Sequence, residues 1–257
     1  MDKTEEWMEV AREVLIRYCG EFSPSVVEKS EGSYLYTTDG RAILDFTSGQ
    51  MCAVFGHSHP RIVEAIHQAT TQSIHLLSTM LSPALLELGK GLVDLLPEGL
   101  DRVIFVNTGS ESNEVAFRMA KLATQGFEIV AFGSWHSMTA GAQSFTNSKT
   151  RTGLCPNLPG NLMLPAPYAY RCPIKHCKGT CDNTCLEVGM QMVDQQSVGA
   201  YAAMIAEPVL SAAGIIELSP EYTTRLKQLC EERGLLLIFD EAQTAFGRVG
   251  ANFAFED

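Results

Sequence analysis

The chain has 257 residues, 46% hydrophobic and 19% charged, a balance that fits a soluble globular protein with a sizeable core. Nineteen basic against thirty acidic residues give a net charge of −11, which argues against nucleic acid as the main partner and still permits a local site for a small anion. No apolar run approaches the length that spans a bilayer, and Met1 to Met8 has no basic region ahead of an apolar core, so the expectation is a cytoplasmic protein without a membrane partner.

From Thr4 to about Tyr18, apolar residues at Trp7, Met8, Val10, Ala11, Val14, Leu15 and Tyr18 keep a helical period, which Gly20 and Pro24 end. Short strand-like runs from Val26 and Ser33, the turn Asp39-Gly40 and the run from Ile43 predict a hairpin. The segment Phe46 to Pro60, punctuated by Gly and His, reads as a loop leading into a helix from about Pro60 to Thr71. Ser82 as N-cap and Pro83 at the first helical position start another helix, to about Leu96.

After Gly99, strands and helices alternate. Strands are expected near 102–107, 128–133, 202–206 and 235–239, with helices over Glu111–Leu122 and Glu221–Glu232. This alternation predicts an α/β fold, a mainly parallel sheet with helices on both faces. Asn147 to Thr184 is rich in Pro, Gly, Asn and Cys and reads as an irregular surface excursion. Within it Cys172, Cys177, Cys181 and Cys185 cluster around His176, with four, three and three residues between successive cysteines. That is not the Cys-x-x-Cys spacing of most zinc sites, and a reducing compartment favours free thiols, with a disulfide or a structural metal as alternatives. Cys19, Cys52, Cys155 and Cys230 are scattered and read as ordinary thiols.

The candidate chemistry lies where strands end. Asp240 and Glu241 follow the buried-type run Leu235–Phe239, and the carboxyl ends of strands are where open α/β sheets bind ligands. Thr108, Gly109 and Ser110 stand at a strand-to-helix turn whose N–H groups suit a phosphate, although plain helix capping fits the same residues. Trp135 follows the next strand, beside His136, and could stack on an aromatic ring or simply fill the core. Glu207 closes a third strand. Thr108, Trp135, Glu207 and Asp240 therefore fall along one edge of one sheet, a coincidence that capping alone explains poorly.

The runs Asn107-Thr-Gly-Ser-Glu-Ser-Asn-Glu, Ser134-Trp-His, Ile205-Ala-Glu-Pro and Asp240-Glu-Ala-Gln-Thr-x-x-Gly-Arg resemble the successive motifs of the class III aminotransferases, which use pyridoxal 5'-phosphate (PLP). Within that family the likeness is closest to the 2,2-dialkylglycine decarboxylases. It is supported by Ile43-Leu-Asp-Phe-Thr-Ser-Gly-Gln-Met, Arg118-Met-Ala-Lys-Leu and Leu164-Pro-Ala-Pro-Tyr, and runs from about Tyr18 to Asp257. The cysteine cluster and the pair Ala245-Phe246 depart from it. The resemblance implies PLP-dependent transferase fold type I, like aspartate aminotransferase. It divides the chain into an N-terminal segment over 1–50, a helix with small-domain hairpin strands, and an incomplete large PLP-binding domain over 51–257, with no C-terminal small domain. Amino acid and 2-oxo acid substrates, and a homodimer in the full-length form, are implied as well.

Residue by residue, the resemblance implies that Thr108, Gly109 and Ser110 hold the phosphate and that Trp135 and Ala242 flank the ring. Asp240, with His136 and Glu207 on the same rim, would keep the ring nitrogen protonated, and Gln243 would bond the ring hydroxyl. Gln50 matches a glutamine beside the scissile carboxylate, and Leu76 and Ser78 match part of an alkali-cation pattern. The family also uses a Schiff-base lysine. None of the eight lysines, Lys3, Lys29, Lys90, Lys121, Lys149, Lys175, Lys178 and Lys227, follows a strand in the right order. The expectation is thus a truncated decarboxylating aminotransferase, inactive alone. The alternative is a catalytically inactive fragment that binds or regulates a full-length relative.

Overall fold

The apolar runs Glu128–Ala131 (β4), Tyr201–Ala206 (β6) and Leu236–Phe239 (β9) lie side by side in one parallel sheet, in the order β5-β4-β6-β9, where β5 is Asn161–Met163. This is a computed structural model that describes residues 3–17, 20–146, 156–172, 174–175, 177, 179 and 181–256. Cys19, Cys155, His176, Lys149 and Lys178 lie outside them. The chain divides into two compact units, Met1–Leu100 and Asp101–Asp257.

In the second unit, side chains alternate across the sheet and build a core on each face. Val130, Phe132, Met204 and Ala206 face one way, with Leu186, Met190 and Val193 of helix α7 (Thr184–Gln196) and Tyr222, Leu226 and Leu229 of helix α8 (Pro220–Glu231) in the same cluster. Ile129, Ala131, Ala203 and Ile205 face the other way, clustered with Phe117 and Ala120 of helix α5 (Gly109–Thr124) and Ala142 of the short helix α6 (Ala140–Ser144). Helices thus cover both faces, as the alternation implied. A buried carboxylate ties the entry to β6: Glu128 accepts from Ser197 Oγ (2.5 Å), Val198 N (2.9 Å) and Ala200 N (3.0 Å). A two-stranded ladder, β7 (Val209–Leu210) with β8 (Ile216–Glu217), follows β6.

One expected strand does not form. Residues 102–106 make no sheet pairing among the described residues, although their β-branched and aromatic composition favours one. Val103, Ile104, Phe105 and Val106 are all exposed, so the run has neither a neighbour to pair with nor a layer covering it. β9 is likewise an edge, with Leu236 exposed.

The first unit contains helix α1 (Lys3–Val14) and an antiparallel sheet of β1 (Val27–Glu31), β2 (Tyr34–Thr37) and β3 (Ala42–Leu44), the expected hairpin. A single turn α2 (Ser48–Met51) and helices α3 (Pro60–Gln72) and α4 (Pro83–Val93) follow. Pro60 and Pro83 open α3 and α4, and Ser82 caps α4 by accepting from Leu85 N at 3.3 Å. The turn α2 is left-handed: φ is +52° at Ser48, +57° at Gly49, +60° at Gln50 and +67° at Met51.

Candidate active site

Asp240 sits directly after β9, where the backbone leaves the sheet: its N–H still donates to Ala206 O at 2.8 Å. Its carboxylate Oδ2 accepts from Asn113 Nδ2 at 3.0 Å and lies 2.9 Å from His136 Nδ1, while Oδ1 accepts from Ala242 N at 3.3 Å. Burial alone would raise this carboxyl, but the hydrogen bond and charge of His136, then Asn113 and Ala242, outweigh it and hold Asp240 below its ordinary value. The group is therefore an anion at neutral pH. His136 is itself 1% exposed, and its backbone N–H donates to Thr146 Oγ1 at 2.8 Å.

Glu207 ends β6 and is also buried. Its Oε1 accepts from Ser134 Oγ and from Trp135 N (3.1 Å), and its Oε2 accepts from Ser211 N (3.1 Å) and Ser211 Oγ (2.6 Å). Two of these four donors come from the loop after β4 and two from Ser211 just beyond β7, so one carboxylate ties both segments to the end of β6. The half-buried Trp135 stands between Ser134 and His136, so both of its neighbours are pinned.

At the start of α5, Thr108 is the N-cap of a capping box. Its Oγ1 accepts from Glu111 N at 3.2 Å, and Glu111 Oε2 accepts from Thr108 N at 3.0 Å and Asn107 N at 2.6 Å. The capping reading of Thr108 is therefore the observed geometry. The N–H groups of Gly109 and Ser110 have no partner within the helix, as at any helix start, and point the positive end of its dipole outward. Ser110 Oγ donates to Ser137 Oγ at 2.6 Å and accepts from Met138 N at 3.3 Å, joining this turn to the loop that carries Trp135 and His136. Asn113, one turn further along α5, reaches both Asp240 and His136 O (3.0 Å).

The structure thus places Trp135, His136, Glu207, Asp240, Ala242 and Gln243 in the turns after β4, β6 and β9, and Thr108, Gly109 and Ser110 at the start of α5, where the expected preceding strand does not form. Gln50 is on the left-handed turn of the first unit, and Leu76 and Ser78 lie between α3 and α4. Two buried polar atoms of the site, His136 Nε2 and Gln243 Oε1, have no hydrogen-bond partner among the described residues, the condition expected where a ligand supplies the missing groups. Among the described residues no group of three His, Cys, Asp or Glu is arranged to hold a metal ion, and Cys172, Cys181 and Cys185 are free thiols. Asn113, Ser134, Ser137 and Ser211 were assigned no role from the sequence, although Asn113 and Ser134 stand inside the motifs quoted there.

Strand-end carboxylates and a helix N-terminus around unsatisfied buried atoms define an α/β ligand-binding domain with its site at the carboxyl edge of a parallel sheet. The family model for aminotransferase class III matches residues 20–257. The chain belongs to this family. It is 48% identical over 248 residues to an uncharacterized aminotransferase of Schizosaccharomyces pombe, covering 96% of this chain and 55% of that one. The fold matches an (S)-enantioselective omega-transaminase from Thermomicrobium roseum with TM-score 0.88 at 26% identity, over 100% of this chain and 60% of the other. It also matches a taurine:2-oxoglutarate aminotransferase from Bifidobacterium kashiwanohense, determined with PLP and glutamate, with TM-score 0.85 at 28% identity, over 98% of this chain and 58% of the other. The expected fold, type I of the PLP-dependent transferases, is the one observed. Members of the family use PLP. The chain spans about half the length of the curated relatives it matches.

Proposed function

We propose that the chain forms the PLP-binding portion of a decarboxylating aminotransferase of the 2,2-dialkylglycine decarboxylase type, which takes an amino acid as donor and a 2-oxo acid as acceptor. The observation that carries the cofactor assignment is Asp240, an anion held by His136 and Asn113 at a strand end, beside a buried Gln243 oxygen that lacks a donor. When bound, PLP supplies an electron sink for the pair released as a bond to the substrate α-carbon breaks. Asp240 would hold the proton on the ring nitrogen, and His136 positions Asp240. The N–H groups of Gly109 and Ser110, with the hydroxyl of Thr108, would hold the phosphate, while the Ser110 hydroxyl donates to Ser137 Oγ. Trp135 and Ala242 would flank the ring, and Gln243 would accept from the ring hydroxyl. Glu207 positions Trp135 through its backbone N–H.

By the resemblance, the Gln50 amide would bind the substrate carboxylate and so favour loss of carbon dioxide over loss of a proton. These 257 residues bind the cofactor without a covalent link, since among the described residues no lysine follows a strand at the site, and multiple turnover by them alone is at background. The test is to add PLP to the purified chain, follow quenching of Trp135, reduce with borohydride and weigh the product. Quenching that is lost in Asp240→Ala, with no covalent adduct, is the expected result. A single turnover with 2-aminoisobutyrate should release carbon dioxide. Absence of PLP binding, or a stoichiometric adduct on one lysine, would overturn the cofactor reading, and absence of carbon dioxide would overturn the decarboxylase reading.

A further inference from the structure

The turn Ser48–Met51 places four consecutive residues at positive φ, three of which carry a Cβ. L-residues avoid this region even singly, so such a turn persists only where its surroundings over-determine it. Asp45 provides that constraint. Its Oδ1 accepts from Thr47 N (2.9 Å) and Thr47 Oγ1 (2.6 Å), and its Oδ2 accepts from Gly49 N (2.8 Å) and lies 2.7 Å from His57 Nε2. The Asp45 side chain is 5% exposed. Thr47, His57 and Gly49, in that order, hold its carboxyl well below the ordinary value, so the anchor is an anion at neutral pH.

His57 is fixed in turn. Its N–H donates to Gly32 O at 2.7 Å, and its carbonyl accepts from Gly32 N at 3.0 Å. The imidazole lies against the turn itself, for a Cβ built on Gly49 would stand 3.2 Å from His57 Cε1. The turn closes through Met51 N donating to Thr47 O (2.7 Å), and through Ala53 N to Ser48 O and Ser48 Oγ to Ala53 O (both 2.9 Å). None of these bonds uses the Gln50 side-chain amide, which is left exposed on a backbone that cannot relax.

We propose that Asp45 and His57 are positioning residues, which lock the left-handed turn and thereby fix the direction in which the Gln50 amide is presented. The inference rests on the reading of Gln50 given above, and it adds two residues that touch no reacting atom on that reading. Asp45→Asn keeps the shape of the side chain and removes its charge, and His57→Gln removes the ring and keeps an amide donor. Amide hydrogen exchange should rise by about tenfold or more at Thr47, Gly49 and Met51 in Asp45→Asn, with the β1–β3 ladder unchanged. In a single turnover of the PLP-loaded chain with alanine, whose α-carbon bears both a proton and a carboxylate, the ratio of carbon dioxide to pyruvate should fall in Asp45→Asn as it does in Gln50→Ala. If exchange at Gly49 and Met51 stays at the wild-type level, or if Asp45→Asn keeps a ratio that Gln50→Ala loses, the positioning role is wrong. If Gln50→Ala itself leaves the ratio unchanged, the reading of Gln50 fails, and the exchange data still decide whether Asp45 locks the turn. Should Asp45→Asn not fold, the same two measurements on His57→Gln decide.

Discussion

Asn113→Ala isolates what one amide contributes to the site. The substitution removes two hydrogen bonds of 3.0 Å, one to the Asp240 carboxylate and one to His136 O. A bond to a charged group contributes about 1.5–3 kcal/mol and a neutral one about 1, but Asp240 keeps His136 and Ala242 as donors, so the expected loss is about 2–3 kcal/mol. The chain has two tryptophans, and Trp7→Phe leaves Trp135 as a reporter of the second unit alone. With a urea slope of about 2 kcal/mol/M, the midpoint followed by Trp135 fluorescence should fall by about 1 M. The sign with pH follows from the lowered folded-state pKa of Asp240. Its stabilisation is fully present above the unfolded value and is lost as pH falls through the folded one. Asn113 is one cause of that depression, so the gap between variant and parent should be widest at neutral pH and narrow once pH falls below the ordinary carboxyl value of 3.8. A midpoint shift below about 0.2 M at neutral pH would refute the assignment of Asn113 as a structural clamp on Asp240.

Gly126→Ala should be severely destabilising, by more than about 2 kcal/mol in the same unfolding assay, because a Cβ there would collide with the backbone carbonyls of Ala200 and Tyr201 at the head of β6. Thr108→Ala should cost about 1 kcal/mol through the lost cap, read as a lower thermal midpoint. Iodoacetamide followed by peptide mapping should label the exposed Cys52 at least about 100-fold faster than Cys185 and Cys230, whose thiols burial pushes up to about 12. Phe46, Ile74 and Leu81 are largely exposed, so sedimentation should show association that grows with concentration, and a monodisperse monomer would argue against an apolar docking face.

What the sequence disclosed follows from how local each signal is. The cores of β4 and β6 were legible because a strand buried on both faces is an unbroken apolar run, β9 was legible because its run is equally apolar although it lies at the sheet edge, and Glu207 and Asp240 were legible as carboxylates where such runs stop. β5 was not legible, since only Leu162 of its three residues is buried and Asn161 reads as a turn. α7 was missed although Cys185, Leu186, Gly189, Met190 and Val193 keep a helical period, because Cys and Gly carry little weight as core markers. Residues 102–106 mislead in the opposite sense: their composition favours a strand, but pairing is a property of the neighbour. The partners of the site stayed hidden for a similar reason. Asn113 meets Asp240 across 127 positions and Ser134 meets Glu207 across 73, and no local pattern records contacts of that range.

The burial of β4 and β6 on both faces also bears on how this gene can change in length. Within β6, Met204 and Ala206 belong to the core beside α7 and α8, while Ala203 and Ile205 belong to the core beside α5 and α6. Deleting one codon inside the strand would turn every later side chain to the opposite face. Met204 would then enter the side occupied by Phe117 and Phe145, and Ile205 would enter the side already filled by Phe132 and Tyr222. Neither side holds spare volume, because Ala203, Met204, Ile205 and Ala206 all have 0% exposure. Substitutions of matched size can pass through these strands, whereas insertions and deletions are confined to the turns between elements, so descendants of this gene should drift in sequence at β6 while keeping its residue count.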